Sequence, residues 1–164
     1  MAEIALSVAL RQRRRPVGRS VAISRELADT VPCGAWQRRG NIVKDSLLGR
    51  VILVVEDEPL IALDVRTVLE AAGAMVVHAT ARHAAQAADD QQSLSAAILD
   101  LRPGSSDHRP IARRLKDRGI PFLFYSTHPP EDVTTVRGAP VVLKPGRPDE
   151  IVMAVALLLR AGRA

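Results

Sequence analysis

The stretch VVEDEP, residues 54–59, places three carboxylates, Glu56, Asp57 and Glu58, directly after an apolar run. Carboxylates this close repel one another, and each raises the pKa of its neighbours. The acids are therefore either hydrated in a loop or balanced by a cation. Oxygen ligands with open positions for water suit Mg²⁺. The stretch predicts either an ordinary acidic loop or a magnesium site, and other polar positions decide between the two.

Three more apolar runs end in polar residues that could join the same chemistry. Asp100 ends AAILD, Ser126 and Thr127 follow PFLFY, and Lys144 follows VVL. Each is unremarkable alone, since Asp often caps a strand and Ser, Thr and Lys–Pro–Gly are common in turns. Independent loops have no reason to place acids after the first and third runs and a lysine after the fifth. We therefore interpret these residues as one site.

The elements that position these residues alternate between two patterns from residue 50 onward. Apolar runs predict strands over 51–55, 74–78, 96–99, 121–125 and 140–143. Between and after them, helical patterns cover 59–73, 82–92, 110–118 and 148–160. Alternating strands and helices predict an α/β fold, a doubly wound five-stranded parallel sheet of flavodoxin-like (βα)5 type. In such sheets ligands bind at the carboxyl ends of the strands.

Composition places the chain among globular proteins with an aliphatic core. It is 47% hydrophobic but 2% aromatic, and its one cysteine, Cys33, cannot form an intrachain disulfide. A single cysteine fits a reducing compartment, so a cytoplasmic location is predicted. No apolar stretch approaches the roughly 20 residues that span a bilayer.

Residues 1–49 are interpreted as a basic, flexible extension of a domain that covers 50–164. Residues 1–50 hold ten of the 23 basic residues and four of the 18 acidic ones, so the net charge of +5 resides there. A secretory signal is rejected because the arginines follow the apolar segment instead of preceding it. An organellar transit peptide stays open, and a short helix is predicted near 24–29.

Four motifs in order, VILVVEDEP, AAILDLRPG, PFLFYST and VVLKPG, resemble the receiver domain of two-component response regulators. The resemblance covers roughly residues 50–164. It implies that Asp100 is the phosphoacceptor. It also implies a Mg²⁺ ion bound directly by Asp57, through water by Glu56, by Asp100, and by the backbone carbonyl of Arg102.

The same resemblance implies the partners and the mechanism. A phosphohistidine on a sensor histidine kinase or a phosphotransfer protein would donate its phosphoryl group to Asp100. Ser126 would hold a phosphoryl oxygen, and Lys144 would pair with Asp100 and then with its phosphate. The protein would be a phosphorelay signalling protein and not an enzyme. Only 19 residues follow Pro145, so a stand-alone receiver that signals through an unknown partner protein is expected.

Three features depart from the family pattern. Val141 stands where the family usually has an aromatic residue. Pro129 and Pro130 predict a curtailed fourth helix in the stretch 126–139. The loop RPGSSDHRP brings Pro103 one residue early after Asp100. The acceptor chemistry is expected to be intact, while the output is expected to differ.

Other functions fit the residues less well. A DNA-binding regulator that uses the basic residues 1–49 is the alternative, because basic arms bind phosphates without sequence choice. A dinucleotide-binding enzyme is rejected, since it needs glycines where this chain has carboxylates. A metal-dependent phosphatase of similar fold would have an Asp where Arg102 stands.

Overall fold

The computed structural model describes residues 45–101, 109–128 and 139–162, which form one parallel sheet of five strands with helices on both faces. The strands are β1 (Val51–Val55), β2 (Met75–Ala79), β3 (Ala96–Leu101), β4 (Phe122–Ser126) and β5 (Val141–Leu143). The described helices are α1 (Pro59–Ala71), α2 (Ala84–Asp90), α3 (Arg109–Asp117) and α4 (Pro148–Ala161). The strand order is β2-β1-β3-β4-β5. The predicted flavodoxin-like fold is confirmed.

The central strands are apolar on both faces because both faces are covered. All five residues of β1 are buried, and so are all five of β4. This is why these strands have unbroken apolar runs instead of an alternation of apolar and polar residues. On β4 the rings of Phe122 and Phe124 also meet edge to face, with centroids 5.7 Å apart.

Two apolar layers cover the sheet, one on each face. Val54, Ile98 and Val142 lie in the layer with α1 and α4. Leu53 and Leu99 lie in the layer with α2 and α3. Successive side chains of a strand point to opposite faces. A strand-end residue that stands two positions beyond a core residue therefore faces the same layer as that core residue.

The ends of the elements follow backbone chemistry. Helix α1 stops at Gly73 as predicted, with φ of +92° and its N–H donating to the Glu70 carbonyl at 2.9 Å. A Cβ at Gly73 would lie 3.2 Å from the Leu48 Cα, so glycine also allows a close approach. Helix α2 begins two residues later than predicted, because residues 81–83 form a turn in which the His83 N–H donates to the Thr80 carbonyl. It also ends at Asp90, two residues before the predicted end.

The packed unit begins before residue 50. Leu47 is fully buried in the layer with α1 and α4, and its N–H donates to the Ala72 carbonyl at 3.0 Å. Residues 1–44 of the predicted extension 1–49, with its short helix near 24–29, lie outside the described residues. So do residues 129–138 of the stretch 126–139, where a curtailed helix is predicted. No helix in the described part of the chain is long and apolar enough to cross a membrane.

Candidate functional site

Strand alternation brings three charged residues to one edge of the sheet. Glu56, Asp100 and Lys144 each stand two positions beyond a core residue of the face under α1 and α4. Those core residues are Val54, Ile98 and Val142. Because β1, β3, β4 and β5 are parallel, their carboxyl ends meet at the same edge. The three charged side chains therefore converge there.

Lys144 is the cation among the acids. Its Nζ lies 2.5 Å from Oε2 of Glu56 and 2.5 Å from Oδ1 of Asp100. The three side chains are almost fully buried. The exposed fraction is 8% for Lys144, 2% for Glu56 and 5% for Asp100. A charge this far from water is tolerated only when it is paired. The predicted cluster of opposite charges is thus present, and an ammonium group holds it together.

The two carboxyl groups respond differently to this surrounding. Burial opposes ionisation of Glu56, but Lys144 and the Glu58 N–H, 3.0 Å from Oε1, outweigh burial and lower the pKa of Glu56. Burial and the neighbouring charge of Glu56 outweigh Lys144 at Asp100 and raise the pKa of Asp100. Asp100 is therefore the carboxyl group of the pair that holds its proton more strongly.

Asp57 does not point between the other two acids. It is exposed, and its Oδ1 accepts a hydrogen bond of 2.8 Å from the Ala81 N–H, in the turn after β2. The His78 ring donates to the Glu56 carbonyl at 2.8 Å, which ties the same two segments together. The third carboxylate of the predicted metal site is thus turned toward β2.

The donor chemistry of the edge nevertheless fits a divalent cation. Glu56, Asp57 and Asp100 supply hard oxygen ligands from the ends of β1 and β3, as Mg²⁺ prefers. Within residues 45–101, 109–128 and 139–162, no group of three His, Cys, Asp or Glu side chains is arranged to hold a metal ion. Arg102, whose carbonyl is a predicted ligand, lies outside the described residues. Binding of a metal ion would require Asp57 to turn or to use its second oxygen.

The end of β4 adjoins the cluster through the backbone. Ser126 is fully buried, its Oγ accepts from the His128 N–H at 3.0 Å, and its carbonyl accepts from the Lys144 N–H at 2.7 Å. The main chain of Lys144 is therefore fixed to the end of β4. Thr127, the neighbouring hydroxyl, is exposed and contacts the His128 ring.

Tyr125 is a site residue that the sequence motifs did not predict. The Lys144 Nζ lies 5.0 Å from the centroid of the Tyr125 ring, and the Gly146 N–H donates to the Tyr125 hydroxyl at 3.0 Å. It is the one tyrosine of the chain. No local sequence pattern identifies it, because its contact with Lys144 depends on the register of β4 against β3 and β5. Val141, where an aromatic was expected, is a buried aliphatic residue on the face of α2 and α3.

Comparison with known proteins finds a curated relative that is similar to this chain in sequence. No protein-family model matches the chain. The phyllosphere-induced regulator PhyR of Methylorubrum extorquens is 31% identical over 114 residues, which are 66% of this chain and 43% of that protein. The chain therefore spans less than half the length of this curated relative.

Solved structures share the fold over the same region. A response regulator receiver protein from Sinorhizobium medicae has a TM-score of 0.61 and 25% identity, covering 69% of this chain and 96% of that one. A mutant of the anti-anti-sigma factor PhyR from Bartonella quintana has a TM-score of 0.57 and 26% identity, covering 71% of this chain and 52% of that one. The likeness thus extends over about two thirds of the present chain.

Proposed function

This chain contains a receiver domain of the response-regulator family, and from that premise we propose that Asp100 accepts a phosphoryl group and that a partner protein detects the change. The observation that carries the proposal is the position of Asp100. It is a buried carboxylate with a raised pKa at the carboxyl edge of the sheet, and Lys144 Nζ lies 2.5 Å away. A buried carboxyl group with a shifted pKa beside a specific charged partner is typical of functional sites.

The proposed transfer needs little covalent work from the protein. The bond between phosphorus and a histidine nitrogen of a sensor kinase or phosphotransfer protein breaks as a bond from phosphorus to an Asp100 oxygen forms. The histidine ring leaves with the electron pair of the broken bond. Lys144 would neutralise charge on the phosphoryl oxygens, and the Ser126 hydroxyl would donate to one of them. Positioning and charge neutralisation carry most of the rate in such transfers.

We further propose that the reaction depends on Mg²⁺ held at the acidic edge. Asp57 would contact the ion directly, Glu56 would bind it through water, and Asp100 and the Arg102 carbonyl would complete the protein ligands. The ion would supply positive charge to the incoming phosphoryl group. Asp57 would turn away from the Ala81 N–H or present its second carboxylate oxygen to the ion.

Magnesium binding by calorimetry tests the metal proposal without any phosphoryl transfer. Asp57→Asn should bind Mg²⁺ more weakly than Glu56→Gln does, because the direct ligand loses more than the water-mediated one. Asp64→Asn, a change at an exposed aspartate on α1, is the matched control and should bind as wild type does. Wild-type affinity in Asp57→Asn would mean that this carboxylate belongs to an ordinary surface loop.

Intact mass after incubation with a small acyl phosphate and Mg²⁺ tests the acceptor. Wild type and Asp64→Asn should gain one phosphoryl group, and Asp100→Asn should gain none, because its amide cannot act as the acceptor nucleophile. An undiminished adduct in Asp100→Asn would place the acceptor on another residue.

The output is proposed to be a protein contact. The Bartonella protein is an anti-anti-sigma factor, so an anti-sigma factor is the first candidate partner to test. Its binding should differ between the phosphorylated and unphosphorylated protein. The alternative, a DNA contact through the basic N-terminal segment, falls mainly on residues 1–44, which lie outside the described structure.

A further inference from the structure

Tyr125 is an aromatic residue beside the charged cluster of Glu56, Asp100 and Lys144. It is 7% exposed and stands in register with Asp100 on one side and with Val142 on the other. Its side chain lies in the layer under α1 and α4, on the same face as the site. Because β4 lies between β3 and β5, Tyr125 stands between the strand of Asp100 and the strand of Lys144.

The Tyr125 ring provides a second partner for the Lys144 ammonium. The distance of 5.0 Å from Nζ to the ring centroid is within the range of cation–π attraction. Such attraction is greater where water is excluded, and the Lys144 side chain is only 8% exposed. The ammonium group thus contacts three groups, which are the ring and the two carboxylates.

The Tyr125 hydroxyl holds the loop between β5 and α4. It accepts the Gly146 N–H at 3.0 Å, only two residues beyond Lys144. A Cβ at Gly146 would lie 3.1 Å from Cε2 of Tyr125 and 3.2 Å from side-chain atoms of Ile151 and Val142. Glycine therefore permits the backbone to approach the ring closely enough for this hydrogen bond.

We propose that Tyr125 is a positioning residue that directs the Lys144 ammonium toward Asp100 and links it to the loop that begins α4. The inference rests on the proposed function of Asp100. A phosphoryl group on Asp100 would draw the ammonium toward its oxygens while the ring stays in contact with it. The ring and its hydroxyl would then adjust, and the bond to Gly146 would transmit the change to the start of α4.

Three variants separate the contributions of the ring and the hydroxyl. Tyr125→Phe removes the hydroxyl and keeps the ring, whereas Tyr125→Leu removes both. Phe122→Leu is the matched control, because Phe122 is a buried aromatic residue of the same strand in the opposite layer. It loses the same kind of bulk from β4 without touching Lys144 or Gly146.

Two measurements use the unphosphorylated protein. The ring should shift the proton resonances of the Lys144 methylene next to Nζ upfield, so this shift should persist in Tyr125→Phe and disappear in Tyr125→Leu. Amide exchange at Gly146 should quicken by about three- to tenfold in both variants, which is the effect of one lost hydrogen bond. Phe122→Leu should match wild type in both measurements at these atoms.

Two further measurements use the phosphodonor. Tyr125→Leu should accept phosphate more slowly by about two- to thirtyfold, the range that the cation–π contact implies. Tyr125→Phe should accept it at nearly the wild-type rate, but the change in amide exchange over 146–150 that follows phosphorylation should be lost. Magnesium affinity should remain at the wild-type value in both variants, since Tyr125 is not a proposed ligand.

The outcomes distinguish this inference from the proposed function. If wild type accepts no phosphoryl group, the proposed function fails, and the measurements in the unphosphorylated protein alone decide whether Tyr125 positions Lys144. Wild-type Lys144 shifts or a wild-type rate in Tyr125→Leu would overturn the positioning role. An unchanged response over 146–150 in Tyr125→Phe would overturn the link to the loop.

Discussion

The carboxyl group of Asp100 is buried beside a second carboxyl group, and one ammonium group serves both. Its pKa is raised above the ordinary value of 3.8 by burial and by Glu56, although Lys144 opposes the shift. An acid whose pKa is higher in the folded than in the unfolded state makes the fold less stable once it ionises. This cost is complete above the folded-state pKa and disappears as the pH falls below 3.8.

Asp100→Asn should therefore raise the free energy of unfolding of the metal-free protein near neutral pH. The neutral amide removes the unfavourable charge, and a gain on the order of 1 kcal/mol is the usual size of a single-residue effect. Urea unfolding should show the gain near neutrality and a smaller gain in acid, where the wild-type carboxyl group is itself neutral. Asp64→Asn, a change at an exposed aspartate, should alter the free energy of unfolding by less than about 0.5 kcal/mol. A less stable Asp100→Asn near neutrality would contradict the destabilising role of this charge.

Lys144→Met should have the opposite effect. It leaves Glu56 and Asp100 buried without their shared cation, so the free energy of unfolding should fall by about 3 kcal/mol near neutral pH. In wild type, the lowered pKa of Glu56 gives stability that is present above pH 4.5 and is lost as the pH falls through the lowered value. The variant lacks that contribution, so urea unfolding should show the two proteins converging in acid.

Arg147→Met controls for the removal of a basic side chain from the same loop. The Arg147 side chain is 67% exposed, so its loss should change the free energy of unfolding by less than about 0.5 kcal/mol. If Lys144→Met and Arg147→Met behaved alike, the buried ion pairs of Lys144 would contribute nothing to stability.

Spacing in the sequence predicted which charged residues meet but not which way each side chain turns. Glu56, Asp100 and Lys144 follow strand-like apolar runs, and parallel strands bring such ends together. The turn of Asp57 toward the Ala81 N–H depends on the backbone of another loop. The contact between Lys144 and Tyr125 depends on the register of β4 against its neighbours. Neither the loop geometry nor the register is specified by local patterns.

At the scale of elements, a short turn before β1 belongs to the core. Leu47 is fully buried, whereas its neighbour Leu48 is 71% exposed. Leu47→Ala should lower the free energy of unfolding by about 2–5 kcal/mol, as expected for a large side chain removed from a core. Leu48→Ala, with the same change in chemistry, should stay within about 0.5 kcal/mol. Equal losses in thermal or urea unfolding would mean that the turn does not pack against the sheet.

The strands were predictable because short, unbroken apolar runs between helical patterns are typical of buried parallel strands. The predicted ends of the strands lie within two residues of the described ends. The contribution of Leu47 was not predictable, since a single Leu in a segment without periodicity carries no pattern. The shorter α2 reflects a turn at 81–83 whose hydrogen bonds compete with the first helical turn.

At the scale of the whole molecule, the net positive charge and the proposed chemistry lie in different parts of the chain. Residues 1–50 hold ten basic and four acidic residues, and the proposed acceptor site lies beyond them. A chain that starts at Asp45 keeps Leu47 and should accept phosphate at the wild-type rate in the intact-mass assay. If the full chain binds DNA, the shortened chain should lose that binding and its steep dependence on salt. A slower phosphoryl adduct in the shortened chain would show that residues 1–44 assist the site.

The cluster around Lys144 also has a consequence for how the protein is made. Its ion pairs join residues 44 and 88 positions apart, so they draw on the first, third and fifth strands of the sheet. Contacts of such long sequence separation are among the slow steps of folding, because the intervening chain must first be closed into a loop. A chain emerging from the ribosome presents both acids well before the lysine that pairs with them. Competence for the proposed phosphoryl transfer should therefore appear only when β5 docks beside β4.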